Sequence, residues 1–176
     1  MKILRLTVFL LLFPLLLNSF IGTDSLEAGF SKLTDAEKVK HFLHQADLNK
    51  SQSLDVAEKN VKDALEIAQK IGDLTLIISS YLLQGDIQMY RGDFLEAYKI
   101  YKNNFELASE EELTEKQVQC LLHLAVFHSN LNEIDVSISF CEQALKLNSD
   151  NNNEGAAKIY LELANSYRKT GFNEKS

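Results

Sequence analysis

The sequence contains no glycine-rich phosphate loop, no nucleophile elbow and no pair of carboxylates in a recognisable catalytic frame. It therefore offers no obvious groups for phosphoryl or acyl transfer and reads as a non-enzyme that needs no cofactor. Metal ligands in a firm motif are absent as well. His41, His44 and Asp47 follow one another at spacings of three, but three residues on a single helix leave a coordination sphere incomplete, so no metal is expected. His123 and His128, five apart, point to different faces of one helix and read as packing or surface residues. Basic charge is scarce, with 18 Lys and Arg against 25 Asp and Glu and a net charge of −7. Phosphate contacts need clustered cations, so nucleic acid is excluded as a partner of this chain.

The longest apolar run, Leu6 to Leu17, is shorter than the ~20 residues a spanning helix requires. It follows Lys2 and Arg5, contains the only proline, Pro14, and leads into Asn18 and Ser19. This is the layout of a secretory signal peptide over residues 1–22, and cleavage is favoured over a retained anchor. Ala-x-Ala is missing, although Thr23-x-Ser25 has small residues at the right spacing. The remaining chain would carry 16 basic and 25 acidic residues, a net −9, and would be exported to a periplasmic or extracellular space, with no membrane span after leader removal.

Helical periodicity governs what remains. Ile78, Tyr81, Leu82, Gly85 and Met89 recur at spacings of three and four, as do Phe94, Ala97, Tyr98, Tyr101, Phe105 and Ala108. The two patterns meet at Arg91-Gly92-Asp93, where Asp93 with Glu96 forms a capping box. The spacing predicts a helical hairpin whose helices cross closely at Gly85 and Ala97, with Tyr81 and Tyr101 filling the space beside them.

The same columns recur along the chain. A small residue stands at Gly85, Ala125 and Ala164, and a turn residue at Gly92, Asn132 and Gly171. Second-helix columns read Ala57, Ala97, Ser137 and Ser176, then Val61, Tyr101 and Cys141. The offsets are 40, 40 and 39 residues. A small residue, a glycine turn seven later, Asp-Phe, an alanine and an aromatic four further on resemble a tetratricopeptide repeat. The period is longer than the roughly 34 residues usual for that family, and the proline that often ends its repeats is absent. The resemblance implies an all-α, right-handed α-solenoid of stacked antiparallel hairpins, about three and a half of them, that binds other polypeptides.

In order, residues 23–33 read as a flexible leader, 34–72 as an atypical capping repeat, 74–109 as repeat 2, 114–148 as repeat 3 and 154–176 as a truncated repeat 4. Thr34 with Glu37, and Thr114 with Gln117, read as capping boxes, and Ser53 as an N-cap. Stepping back one period from the small column lands on Gln45, so the first hairpin's face is expected to be slipped by one residue, as suits a terminal repeat. Acids at Glu110, Glu111 and Glu112 read as a solvated loop. Cys120 and Cys141 lie on the two helices of one hairpin, where export would permit a disulfide, yet a small buried apolar role in the column of Tyr101 and Val61 explains Cys141 without a bond and is favoured.

In the tetratricopeptide family the first helix of each pair lines the concave surface. The columns that face it here include Leu82, Asp86, Met89 and Tyr90, then Leu122, Val126, Ser129 and Asn130, then Asn165 and Arg168. Leu82, Leu122 and Leu161 occupy the column where a carboxylate-clamping repeat carries a polar residue, which argues against that mode except near Lys158, Asn165, Arg168 and Lys169. The expected function is an exported scaffold that binds a protein or peptide through the concave groove. The alternative is the extracytoplasmic sensor region of a longer bacterial signalling protein, a histidine kinase or helix-turn-helix regulator. Because Ser176 falls where a second helix would begin, the sequence suggests either a longer protein or self-association through the open face of Tyr160, Leu163 and Tyr167.

Overall fold

The structure, a computed structural model, describes residues 30–148 and 153–173. The expected leader at 1–22, most of the 23–33 segment and the Ser176 column lie outside these residues. Within them stand α1 (Asp35–Asn49), α2 (Leu54–Ile71), α3 (Leu74–Arg91), α4 (Phe94–Glu110), α5 (Thr114–Asn130), α6 (Ile134–Leu147) and α7 (Asn153–Asn173). The described residues contain no strand. Each helix packs on its neighbour in sequence, and α1, α3, α5 and α7 also contact one another in a row. That connectivity is an α-solenoid in which the first helices of the hairpins form the inner layer.

Residue chemistry explains where the helices stop. Gly72 and Gly92 end α2 and α3 in the left-handed conformation, at φ 70° and 86°. The following Asp73 and Asp93 donate their amides back to Ala68 and Gln88, which closes each helix with a Schellman turn. The same aspartates then start the next helix. Asp73 Oδ1 accepts from the Thr75 and Leu76 amides, and Asp93 Oδ1 accepts from the Glu96 amide at 3.2 Å. A Gly-Asp pair thus serves both sides of a tight corner. In the third hairpin Asn132 takes the left-handed position at φ 62°, a role asparagine tolerates better than most residues.

Three expected caps differ, the first being Asp93, which accepts from the Glu96 amide without the reciprocal half of the box. Thr34 and Glu37 form the reciprocal box, with Glu37 Oε2 2.8 Å from the Thr34 amide. Thr114, in contrast, is the first helical residue of α5, with Leu113 at the cap position. Gln117 donates instead to the carbonyl of Ala108 at 3.1 Å, tying α5 to the end of α4. Ser53 occupies the cap of α2 without a side-chain hydrogen bond. Gly171 does not turn the chain, since α7 runs through it to Asn173.

The hairpin cores are built from small residues facing larger ones. Tyr101 does not sit beside a Gly85–Ala97 contact as expected, but lies directly on Gly85. A β-carbon at residue 85 would overlap Cε1 of Tyr101 and stand 3.0 Å from Cδ1 and Cζ. Around that crossing Ile78, Leu82, Ala97, Tyr101, Ala108, Cys120, Leu124 and Phe127 form one buried cluster that joins α3, α4 and α5. A second cluster joins α5, α6 and α7 through Val118, Leu121, Ala125, Cys141, Ala144 and Ile159. In the first hairpin Ala46, one residue beyond Gln45, packs with Ala57 and Val61. Each α3 and α5 therefore has two apolar faces, one against its own second helix and one against the adjacent repeat.

Candidate binding groove

The inner row of helices carries two adjoining clefts. One, of about 490 Å³, lies among Lys50, Asp86, Met89, Tyr90, Phe94, Tyr101, Val126, Phe127 and Asn130. The other, of about 580 Å³, is bounded by Lys50, Asp86, Gln119, Leu122, His123, Val126, Lys158, Leu161 and Glu162. Lys50, Asp86 and Val126 belong to both, so the two are one trough running across α3, α5 and α7. Its first half is aromatic and apolar, and its second half is mixed.

Asp86 is the junction. Its Oδ1 accepts from the Tyr101 hydroxyl at 2.9 Å and lies 2.9 Å from Nδ1 of His123. Its Oδ2 pairs with the Lys50 ammonium at 3.0 Å. Lys50 comes from the end of α1, Tyr101 from α4 and His123 from α5, so one carboxylate ties three successive hairpins together. Its side chain keeps only 18% of its exposure. Burial alone would raise the carboxyl pKa, but His123 and Lys50 outweigh it and hold Asp86 down at about 2. Burial together with the adjacent carboxylate pushes the Tyr101 phenol well above its usual range, so it stays a donor. The Lys50 ammonium is disfavoured by burial, yet Asp86 and Asp47, the latter at 2.6 Å, raise its pKa on balance.

Further ties cross the inner row on either side. Lys116 Nζ donates to Ser79 Oγ at 2.7 Å and to Gln119 Oε1 at 2.9 Å, and burial depresses its pKa. It borders a third cleft of about 590 Å³ that also touches Lys40, Leu43 and Thr75. At the other end Lys169 donates to the carbonyl and hydroxyl of Ser129, both at 2.8 Å.

Of the groove residues expected from sequence, Asp86, Met89, Tyr90, Leu122, Val126 and Asn130 line the trough. Leu82 does not, because it is buried against Cys120 and Leu124 in the core between α3 and α5. Ser129 is buried beneath Lys169. Asn165 and Arg168 contact each other at 3.4 Å outside both clefts. Leu161 stays 64% exposed in the second cleft. Sequence reasoning missed Lys50, His123 and Phe94 as groove residues. Lys50 ends α1 outside any repeat column, and only its separation of 36 residues from Asp86, close to one period, hinted at their meeting.

His41 and His44 are exposed, and the described residues contain no group of three His, Cys, Asp or Glu able to hold a metal. Cys120 and Cys141 are both buried free thiols. Burial pushes them up to about 12 and about 11, far from the reactive range. The disulfide alternative is not realised.

Stacked hairpins with an inner groove define a helical-repeat protein. A family model described as tetratricopeptide repeat matches residues 118–151, which cover most of α5 and all of α6. The chain is also 25% identical over 134 residues to "Tetratricopeptide repeat protein 29" of Trypanosoma brucei brucei (strain 927/4 GUTat10.1). That alignment takes in 72% of this chain and 28% of the relative's length, so the chain spans under a third of that protein. Residues 118–151 thus match a tetratricopeptide repeat, and a repeat of this kind points to a protein interaction scaffold.

Proposed function

We propose that the chain is a non-catalytic scaffold that holds a polypeptide segment in the trough across α3, α5 and α7. The observation that carries this reading is the pairing of exposed apolar side chains with a fixed polar floor. Tyr90, Phe94 and Val126 are 55%, 45% and 42% exposed around one half of the trough. Asp86, Tyr101 and His123 are held in place below them. Apolar walls supply affinity and the fixed polar groups supply orientation, which is how an amphipathic helix or extended peptide is recognised. We propose also that the mature repeats act outside the cytoplasm, on the strength of the leader-like residues 1–22. No described helix is long and apolar enough to cross a membrane.

Selection of a phage-displayed peptide library on the immobilised chain tests the groove. Selected peptides should lose at least tenfold in affinity on Tyr90→Glu and Val126→Glu, variants that place a charge on exposed apolar walls while leaving the helical circular dichroism intact. Peptides that bind both variants as tightly as the parent would reject the trough as the binding surface. For export, residues 1–33 fused to a periplasmic alkaline phosphatase reporter should give an active, shortened product. A reporter retained inactive at full length would rule out the leader.

A further inference from the structure

The three clefts of the inner row lie along one stripe of α5. Lys116, Gln119, His123, Val126 and Asn130 follow one another at spacings of three and four, which places them on a single helix face. Val126 and Asn130 belong to the aromatic half of the trough, Gln119 and His123 to its mixed half, and Lys116 to the cleft beyond. Gln119 joins the last two, because its Oε1 accepts from the Lys116 ammonium at 2.9 Å.

Charge is balanced in the middle of this stripe and not at its end. Asp86 takes the Tyr101 hydroxyl, His123 and Lys50, and Lys50 has a second carboxylate in Asp47. The half-buried Lys116 has only neutral acceptors, Ser79 Oγ at 2.7 Å and Gln119 Oε1. Glu115 and Asp73 act on it through space without a hydrogen bond, and Glu115 Oε1 accepts from Gln119 instead. An ammonium carries three N–H donors, so one of them is left for a ligand. Burial lowers the Lys116 pKa, whereas the two carboxylates of Lys50 raise that of Lys50. A partly desolvated cation with no paired counter-charge favours whatever anion can reach it. The cleft of about 590 Å³ gives access, with Lys40 as a second, exposed cation and Leu43, Leu76 and Leu113 as its apolar lining.

We propose that Lys116 receives the side-chain carboxylate of an aspartate or glutamate in the polypeptide partner. The inference takes from the proposed function only that a polypeptide lies on the inner row. A single negative charge neutralises Lys116, whereas a phosphate dianion would meet Glu112 and Glu115 on the same cleft. Lys116 and Val126 are ten positions apart on α5, about 15 Å along its axis. An extended chain covers that distance in about five residues. A partner lying along α5 therefore carries its acid about five residues from the apolar residue beside Val126. Lys116 precedes Leu122 and so stands before the column that marks a carboxylate-clamping repeat, and the group it takes is a side chain rather than a chain terminus.

A double-mutant cycle tests the site, using peptides selected on the parent chain and resynthesised with amidated C-termini so that their only carboxylates are side chains. Replacing the peptide's acid by the corresponding amide should weaken binding to the parent about tenfold and leave binding to Lys116→Met unchanged. Equal losses on the two proteins overturn the proposal, as do selected peptides that carry no acid, or displacement of the acidic peptide by millimolar inorganic phosphate. A second readout needs no variant. In the parent chain the acidic peptide should slow reductive methylation of Lys116 about fivefold, and its amide counterpart should not. Equal methylation rates with either peptide overturn the proposal. These readouts separate the site from the trough. A peptide that ignores Tyr90→Glu and Val126→Glu yet couples to Lys116 rejects the trough and keeps this site, and one that responds to both without coupling does the reverse.

Discussion

Tyr101 and Gly85 are fitted to each other: the tyrosine ring occupies the space where a β-carbon of residue 85 would stand. The ring is 2% exposed and its hydroxyl reaches Asp86, the next residue of α3, so it has little freedom to retreat. Gly85→Ala should therefore cost roughly 2 kcal/mol by overpacking, despite the gain in helix propensity. In the third hairpin the same two columns hold Ala125 and Cys141. Gly85→Ala combined with Tyr101→Cys should then lose less stability than the two single changes added together. Urea melts of the four proteins give the coupling, and simple additivity would show that the two residues do not share the crossing.

Acid should weaken the array through Asp86. Its folded pKa of about 2 lies below the ~3.9 of an unfolded aspartate, so its contribution is fully present above pH ~4 and is lost as the pH falls toward 2. The shift corresponds to about 2 kcal/mol. The stability difference between the parent and Asp86→Asn should shrink over that window. A difference that stays level down to pH 2 would mean that Asp86 is not held by Lys50 and His123.

Glu112 is strained where Gly72 and Gly92 are not. It ends α4 at φ 54°, a left-handed position that disfavours a side chain. Glu112→Gly should stabilise the chain by roughly 1 kcal/mol, and Gly92→Ala should destabilise it by a similar amount. Opposite shifts in melting temperature are expected, and equal signs would contradict the assigned turn geometry.

The two thiols should be silent in the folded protein. Cys120 and Cys141 are fully buried and their pKa values are raised by that burial. Alkylation at neutral pH should proceed only as fast as the array opens, and two thiols should react at once in denaturant. Fast labelling of the native chain, or no free thiol in denaturant, would contradict this.

The repeat was legible because its signals are local. Gly92 and Asn132, the Asp-Phe start and the alternation of small and large residues at spacings of three and four all lie within one hairpin, and the structure puts them in the turns and crossings they indicate. The slip in the first hairpin shows in Ala46, which stands where Gln45 would. What sequence left hidden are relations between hairpins. Leu82 looked like a groove residue because column position gives a face but not the depth at which α5 covers it. Lys50 and His123 carried no motif, since an ion pair across 36 or 37 residues depends on how much each repeat rotates on the next. The cap at Leu113 was missed because Gln117 is drawn to the carbonyl of Ala108 by tertiary packing, in place of the local box.

The central claim is that partners enter the trough rather than the outer face of the second helices. Photo-crosslinking from single benzoylphenylalanine positions tests it directly, with Tyr90 and Val126 on the trough and Val56 and Val136 on α2 and α6, all four exposed in the folded chain. With a peptide selected on the parent chain, positions 90 and 126 should capture it and positions 56 and 136 should not. Capture from 56 or 136, with none from 90 or 126, would contradict the account.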